Sequence, residues 1–313
     1  MPLRIVFCGT PAFALPSLRH LASQEDFQLE SVVTQPGRPR GRGGEMSDSP
    51  VKEFALETGI PVYQPEKMKS ESAENFFRRV APDAAVIIAY GQIIPANLLD
   101  IPRLGWINLH ASLLPKYRGA APMQWAIVNG EKRTGVVTMR IDAGLDTGPV
   151  LLRHEAEIAP DETAPELSVR LAEAGAPLVA ETLRGLDRGT LQPEVQDNAQ
   201  ASFAPPLKKE DGRIDWTHSF ENIYNRMRGL QPWPGTFTTF RGQTCAIWGK
   251  PADAAAASNA EPGTIFAKGG EIVVACGGST ALRIEFLRLP GRKRVTSREF
   301  ASGAHLIDGE KFV

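Results

Sequence analysis

The sequence predicts an α/β fold, in which a doubly wound, mostly parallel Rossmann-like sheet is followed by a small OB-like β-barrel domain. In the first two thirds, near-continuous apolar runs such as residues 3–8 and 84–89 alternate with helical patterns, which is typical of strands buried on both faces of a parallel sheet. In the last hundred residues, about five short strands are separated by glycine-containing turns, which indicates a small barrel. The predicted domains are 1–189 and 208–313, joined by a linker at 190–207.

The elements of the first domain follow from local signals. Residues 3–8 end at Gly9-Thr10-Pro11, which turns the chain into a helix that ends near residue 21. Ser49-Pro50 is a good helix start, and Thr163 with Glu166 forms a capping box for a long helix. The further strands are predicted at 29–34, 84–89, 104–109, 135–141 and 150–158, and the further helices at 50–58, 72–80 and 164–188. The domain has no glycine-rich dinucleotide or P-loop pattern, so those ligands are disfavoured.

The second domain begins after a stretch with three prolines and little apolar periodicity, which is typical of an extended linker. A short helix is predicted at 219–228. The predicted barrel strands are 236–240, 244–248, 264–267, 272–276 and 282–289. Small barrels of this type often hold single-stranded nucleic acid, although a purely structural cap is an equal alternative on these residues alone.

Composition excludes several classes of protein. The 313 residues are 42% hydrophobic and 23% charged, and no apolar run is long enough to cross a bilayer. Three scattered cysteines argue against disulfides and fit a reducing compartment, so a cytoplasmic protein is expected. The five histidines never adopt metal-ligand spacing, and no metal is expected.

Charge is unevenly distributed along the chain. The net charge is −1, but residues 205–313 carry 15 Lys+Arg against 11 Asp+Glu. A mildly basic second half is compatible with a polyanionic partner, although such an excess is also common on solvated surfaces.

The candidate catalytic residues are concentrated between the strand at 104–109 and the following helix. Asn108 and His110 are two residues apart, so a strand directs both side chains to one face. An amide donor beside a titratable imidazole is suited to binding and protonating a carbonyl oxygen. Two carboxylates, Asp142 and Asp146, follow the strand at 135–141, and we expect them at the same edge of the sheet. The sequence pattern alone does not indicate which of the two is the catalytic carboxylate.

Longer motifs surround these residues. Asn108-Leu-His-Ala-Ser-Leu-Leu-Pro115, then Tyr117-Arg-Gly-Ala-Ala-Pro122, and Asp142-Ala-Gly-Leu-Asp-Thr-Gly148 together resemble the signatures of folate-dependent formyltransferases. The start at Phe7-Cys-Gly-Thr-Pro-Ala-Phe13 and the stretch from Thr34 to Gly43 narrow the resemblance to the branch that acts on tRNA. The resemblance covers nearly the whole chain.

The resemblance implies an enzyme that transfers the formyl group of 10-formyltetrahydrofolate to the amino group of methionyl-initiator-tRNA. It implies Asn108, His110 and Asp146 as the catalytic residues, with Asp146 orienting the imidazole and favouring its charged form. It also implies a monomer and a folate pocket, whose residues are Ser112, Leu113, Leu114, Pro115, Tyr90, Gly91, Asp142 and Gly144. The alternatives are a formyltransferase for a sugar or nucleotide amine and a non-catalytic tRNA-binding protein.

The tRNA contacts implied by the resemblance lie in two places. The loop at 35–48 places Arg38, Arg40 and Arg42 among glycines, which suits a segment that becomes ordered when phosphates neutralise it. On composition alone, a solvated loop without a role is the simpler alternative. The family loop enters the tRNA acceptor stem with an arginine that matches Arg42, but Gly44-Glu45 stands where relatives often carry lysines. Lys209 matches a position near the tRNA 3′ end, and the role of residues 292–294 stays open.

Overall fold

The structure is a computed structural model that describes residues 1–40, 45–253 and 260–313, with residues 38–40 and 45–46 described by their backbone alone. The chain forms two compact units. Unit 1 comprises residues 1–122, 133–157 and 167–204, and unit 2 comprises residues 123–132, 158–166 and 205–313. None of the helices in the described ranges is long and apolar enough to cross a membrane.

Strands and helices alternate along the first two thirds of the described chain. The elements in order are β1 (Leu3–Gly9), α1 (Leu15–Ala22), β2 (Phe27–Val33), β3 (Arg38–Arg40), β4 (Glu45–Ser47), α2 (Pro50–Glu57), β5 (Val62–Tyr63), α3 (Glu71–Val80), β6 (Ala84–Ile88), α4 (Ala96–Leu99), β7 (Trp106–His110), β8 (Arg118–Gly119), α5 (Pro122–Val128), β9 (Arg133–Arg140), β10 (Val150–Glu157) and α6 (Ala164–Asp187).

The remaining described chain is mostly strand. Its elements are β11 (Phe203–Ala204), α7 (Phe220–Gly229), β12 (Phe237–Phe240), β13 (Gln243–Ala252), β14 (Ile265–Lys268), β15 (Glu271–Cys276), β16 (Thr280–Arg288), β17 (Val295–Thr296) and α8 (Ser297–Gly303).

Unit 1 is built on a seven-stranded sheet of order β10-β9-β7-β6-β1-β2-β5. The five strands from β7 to β5 are parallel, whereas β9 and β10 are antiparallel additions at one edge. The central strands β1 and β6 are almost wholly buried, because helices cover both faces of the sheet. The predicted doubly wound, mostly parallel sheet is confirmed.

The two faces of this sheet have different coverings. On one face, Phe76 and Phe77 of α3 pack with Cys8 and Trp106 in a buried cluster. On the other face, α6 lies against the sheet, where Thr182 Oγ1 and Thr138 Oγ1 are 2.7 Å apart. Side chains of β7 therefore alternate between the α3 face and the α6 face.

The direction of β9 corrects one expectation. Ile107 of β7 pairs with Arg140, and His110 pairs with Val137, so β9 ends beside the beginning of β7. The loop with Asp142 and Asp146 therefore leaves the sheet at the amino edge of the parallel strands, and the expected common carboxyl edge is wrong. The expectation failed because it assigned β9 the direction of its parallel neighbours.

Unit 2 contains an antiparallel sheet of order β12-β13-β16-β15-β14, with β17 paired to β16. The C-terminal residues connect its two ends: Thr239 and Val313 exchange backbone hydrogen bonds of 2.7 and 2.9 Å, and Phe312 N donates to Gly263 O at 2.9 Å. The interior is apolar, with Trp216, Ile247 and Leu282 among its buried residues. The predicted small β-barrel domain is confirmed as a domain built on an antiparallel sheet.

Two segments join their units in ways the sequence did not indicate. Residues 190–204, predicted as linker, cluster with unit 1 and include β11, which pairs with β8. Residues 158–166 cluster with unit 2, where Tyr224 donates to Asp161 at 2.7 Å and Arg228 donates to the Glu162 carbonyl at 3.0 Å. The domain boundaries 1–189 and 208–313 stay predictions.

Trp106 offers a test of the unit 1 core. Its side chain is 1% exposed, its Nε1 donates to Leu98 O at 2.7 Å, and its ring lies 4.9 Å from that of Phe77. We expect Trp106→Ala to lower the free energy of unfolding by about 3–5 kcal/mol, because it leaves a cavity and an unpaired carbonyl. Urea denaturation measures the change. Leu56→Ala, at a position 59% exposed, is the control and should change the value by less than about 1 kcal/mol.

Candidate active site

The candidate site begins with the polar end of one row of side chains on β7. Trp106, Asn108 and His110 share a face by alternation, and the first of them packs in the core beside α3. Leu109 points the other way, since a Cβ placed on Gly175 of α6 would lie 2.4 Å from Leu109 Cδ2. The apolar part of the row anchors β7, and the polar part carries the chemistry.

The His110 ring is buried and held at one nitrogen. Its Nε2 lies 2.9 Å from the backbone carbonyl oxygen of Tyr117, and the residue is 6% exposed. A carbonyl oxygen can only accept, so Nε2 carries the hydrogen. Nδ1 is therefore the nitrogen available to a reacting group, and in the neutral ring it is an acceptor.

Asp146 faces that second nitrogen. Its Oδ2 lies 3.6 Å from His110 Nδ1, which is too long for a hydrogen bond but within the range of an ion pair. The same oxygen accepts from Gly119 N at 2.8 Å, and the side chain is 18% exposed. The loop therefore folds back from the amino edge of the sheet and brings this carboxylate to His110.

The two residues that contact the imidazole both have left-handed backbone conformations. Asp146 has φ of 50° and Tyr117 has φ of 59°, although neither is glycine. Such conformations cost on the order of 1–3 kcal/mol and persist where surrounding contacts fix them. Both strained residues are ones that contact His110, so the strain is located at the candidate site.

Asp142 occupies a different environment. It is exposed, and its Oδ1 accepts from Gly144 N at 2.9 Å and from Thr147 Oγ1 at 2.7 Å. These bonds close a turn within the loop. The structure therefore brings Asp146 to His110 and gives Asp142 a role in shaping the loop.

The residues predicted for folate are in varied surroundings. Ser112 is fully buried and donates to Lys116 O at 2.6 Å. Leu114 is buried in a cluster with Val137, Met139 and Val150, against which Leu113 also packs. Pro115 accepts from Ser202 N at 3.3 Å through its carbonyl. Ser112 and Leu114 are therefore buried within the loop, and the side chain of Ser112 is not exposed to solvent.

Tyr90 and Gly91 lie at the end of β6. The Tyr90 ring is 1% exposed, and burial raises the pKa of its phenol. Its carbonyl accepts from Gln35 Nε2 at 2.8 Å. Gly91 lines a cavity of about 430 Å³ together with Gln35, Pro36, Gly37, Glu66 and Gln92. A cavity at the carboxyl end of β6 is where ligands of doubly wound folds bind.

The residues predicted for tRNA are only partly visible. Arg42 lies outside the described residues. Arg38 and Arg40 belong to β3, which pairs with β4, and the structure describes only their backbone. Lys209 is exposed in a short 3-10 helix of unit 2.

The cysteines and the candidate metal ligands were also located. Burial raises the pKa of Cys8 strongly, that of Cys245 to about 11 and that of Cys276 to about 12, so these thiols are not nucleophiles at neutral pH. Within the described ranges, no three His, Cys, Asp or Glu side chains come together as a metal-binding group.

The sequence patterns did not indicate that Gln196 and Arg118 belong to the site. Gln196 is 8% exposed and contacts both Arg118 and the loop of Asp146. Arg118 lies within the motif from Tyr117 to Pro122, but the motif alone did not indicate its contacts. Gln196 lies in a polar, proline-containing stretch where no local pattern distinguishes it.

The chain belongs to the formyl transferase family. It matches that family over residues 3–183 and the formyl transferase C-terminal domain over residues 206–305. Relatives named methionyl-tRNA formyltransferase include one from Solibacter usitatus, which is 52% identical over 99% of this chain and 98% of its own length. Another, from Geobacter metallireducens, is 48% identical over 98% and 97%.

Solved structures share the fold at low identity. WlaRD, described as a sugar 3N-formyl transferase, has a TM-score of 0.65 and 16% identity, and the match covers 94% of this chain and all of that one. HypX from Aquifex aeolicus, in complex with tetrahydrofolic acid, has a TM-score of 0.63 and 16% identity over 96% of this chain. This chain spans about half of HypX, since the match covers 47% of it.

The hydrogen-bonding of His110 can be tested directly. Because Nε2 donates to Tyr117 O, we expect the neutral imidazole to be the Nε2–H tautomer. Two-bond ¹H–¹⁵N correlation spectra should show Nε2 in the protonated range and Nδ1 in the unprotonated range at high pH. The signals are assigned by their loss in His110→Ala. An Nδ1–H tautomer would contradict the geometry.

Proposed function

We propose that this protein transfers the formyl group of 10-formyltetrahydrofolate to the α-amino group of methionyl-initiator-tRNA. The observation that carries the proposal is the buried imidazole of His110, whose Nε2 is fixed by a carbonyl and whose Nδ1 faces Asp146 at 3.6 Å. The full-length identity of about 50% with relatives named methionyl-tRNA formyltransferase supports the choice of acceptor.

Asn108 and His110 are proposed to hold the oxyanion. The folate supplies the formyl group, and attack of the neutral amine on its carbon gives a tetrahedral species with a negatively charged oxygen. A free α-amino group titrates close to neutral pH, so part of it is already neutral. The side-chain amide of Asn108 makes no hydrogen bond among the described residues, and the residue is only half-buried. It can therefore donate to that oxygen without losing an existing bond.

Asp146 is proposed to favour the charged imidazole. A carboxylate 3.6 Å from Nδ1 stabilises a proton on that nitrogen by opposite charge. A protonated Nδ1 can donate to the oxyanion. Asp146 is also proposed to receive the proton that the attacking amine loses and to pass it through water to N10, as the bond between the formyl carbon and N10 breaks.

Two exposed apolar side chains are proposed to contact the folate. Ile93 is 90% exposed and lies two residues after Gly91, and Leu145 is 60% exposed and precedes Asp146. Flat ring systems bind in mostly apolar clefts with a few polar anchors. We propose that backbone groups of residues 89–91 and 142–144 supply those anchors.

The tRNA is proposed to contact basic residues of both units. Arg38, Arg40 and Arg42 are the candidates before α2, and Lys209 is the candidate in unit 2. A cation at each place would neutralise phosphates and make binding sensitive to salt. We propose that the enzyme acts as a monomer.

The decisive experiment offers the acceptors separately. With 10-formyltetrahydrofolate, wild-type protein should convert methionyl-initiator-tRNA to formyl-methionyl-tRNA, detected by mass spectrometry. His110→Ala should reduce turnover by about 10²–10³-fold and leave tRNA affinity nearly unchanged, because the histidine acts on the formyl group. Preferential formylation of an amino sugar or a nucleotide amine would refute the proposal, and so would full activity of His110→Ala.

A second experiment separates the two carboxylates. Asp146→Asn can keep the oxygen that accepts from Gly119 N, but it removes the negative charge that faces His110 Nδ1. We expect turnover to fall by about 10²-fold or more. Asp142→Asn is the matched control and keeps the oxygen that binds Gly144 N and Thr147 Oγ1, so turnover should stay within about threefold. Equal losses in the two variants would count against the assignment.

A further inference from the structure

Residues 194–204 of unit 1, here called the strap, are bonded along their length to the segments around His110. Glu194 and Val150 exchange backbone hydrogen bonds of 2.8 Å. Ser202 accepts from Tyr117 N through its Oγ at 2.9 Å and from Arg118 N through its carbonyl at 2.9 Å. Ala204 O accepts from Ala121 N at 3.2 Å. The strap thus contacts the segment that contains Tyr117 and the start of β10.

Gln196 is the residue of the strap that reaches the Asp146 loop. Its Oε1 accepts from Arg118 Nε at 3.1 Å and Nη2 at 2.8 Å. Its Nε2 donates to Asp146 O at 2.8 Å and to Gly148 O at 2.7 Å. A guanidinium can only donate and carbonyls can only accept, so the orientation of the amide is determined by its partners.

Arg118 is the buried group that fixes Gln196. It is 4% exposed, and Nη2 also donates to Asn198 Oδ1 at 2.8 Å. Among the described residues its side chain has amide oxygens as partners and no carboxylate within ion-pair distance. A neutral amide is what this position requires, because a carboxylate at residue 196 would satisfy Arg118 but could not donate to the two loop carbonyls.

Asp146 is consequently held at two points. Gln196 holds its backbone carbonyl, and Gly119 N holds its carboxylate. Gly119 has φ of 122°, and a Cβ there would lie 2.7 Å from Ala204 O, so the close approach of the strap requires glycine. These contacts account for the persistence of the left-handed backbone at Asp146.

We infer that Gln196 is a positioning residue for the reaction: through its amide it sets the place of the Asp146 carboxylate relative to His110 Nδ1. The inference rests on the proposed function. Gln196 touches the backbone of the loop and no reacting atom, so its loss should affect turnover much more than substrate binding. Displacements of about 1 Å in a catalytic group can reduce turnover by about 10²-fold.

The test is Gln196→Glu, which is nearly isosteric and keeps the acceptor for Arg118. It replaces the donor to Asp146 O and Gly148 O by an oxygen that repels both. We expect kcat for methionyl-tRNA formylation to fall by about tenfold to a hundredfold, with KM for both substrates within about threefold.

Two readouts do not depend on turnover. The imidazole ¹⁵N signals of His110 should move in Gln196→Glu, and backbone amides of residues 142–150 should exchange with deuterium faster. Gln200→Glu is the matched control: it is the same substitution in the strap, at an exposed residue that donates to Asp197 and not to the loop. It should change neither readout and should leave kcat within about twofold.

The outcomes separate the inference from the proposed function. If wild-type protein formylates methionyl-tRNA but Gln196→Glu keeps its kcat, its His110 signals and its rates of amide exchange, the inference is wrong. If wild-type protein does not formylate methionyl-tRNA, the proposed function fails, while the imidazole and exchange measurements still test the positioning of the loop. Should Gln196→Glu not fold, Gln196→Met removes both sets of bonds without adding charge, and it must show the same losses.

Discussion

The hydrogen bond from His110 Nε2 to the Tyr117 carbonyl is the constraint on which the site depends. It fixes the plane of the ring and assigns the reactive role to Nδ1. Since Tyr117 is in a left-handed conformation, its carbonyl faces the ring only while the surrounding segment is held. Ser202 binds the amide of the same residue, so the strap determines both where the ring lies and where the carboxylate meets it.

The antiparallel direction of β9 explains why so much polar structure surrounds one carboxylate. A loop that leaves the carboxyl edge of a parallel sheet would reach His110 directly. This loop begins beside Trp106 and must return along the sheet to His110. An exposed return would leave Asp146 mobile. The turn closed by Asp142, the bond from Gly119 and the two bonds from Gln196 together fix the path.

The sequence predicted the parallel sheet, the small β-barrel domain and a common strand face for Asn108 and His110, because alternation and apolar runs are local properties. It could not separate Asp142 from Asp146 by residue type, since both are aspartates in one loop. It also gave no sign of Tyr117 O as the partner of His110, because every residue has a carbonyl. Gln196 is separated by 78 residues from Arg118 and by 50 from Asp146, and such pairing leaves no trace in a periodic pattern.

The hydrogen-bond partners of Arg118 are neutral amide oxygens and not carboxylates, and this difference matters for the position of Asp146. A buried guanidinium bonded to a carboxylate would make a stronger pair, yet a buried ion pair often contributes little net stability because both charges lose their hydration. Two amide oxygens satisfy the donors of Arg118 while leaving the nitrogen of Gln196 free to bind the loop. The neutral amide of Gln196 therefore suits this position better than a carboxylate. One side chain can then connect the buried Arg118 cation to the backbone of Asp146.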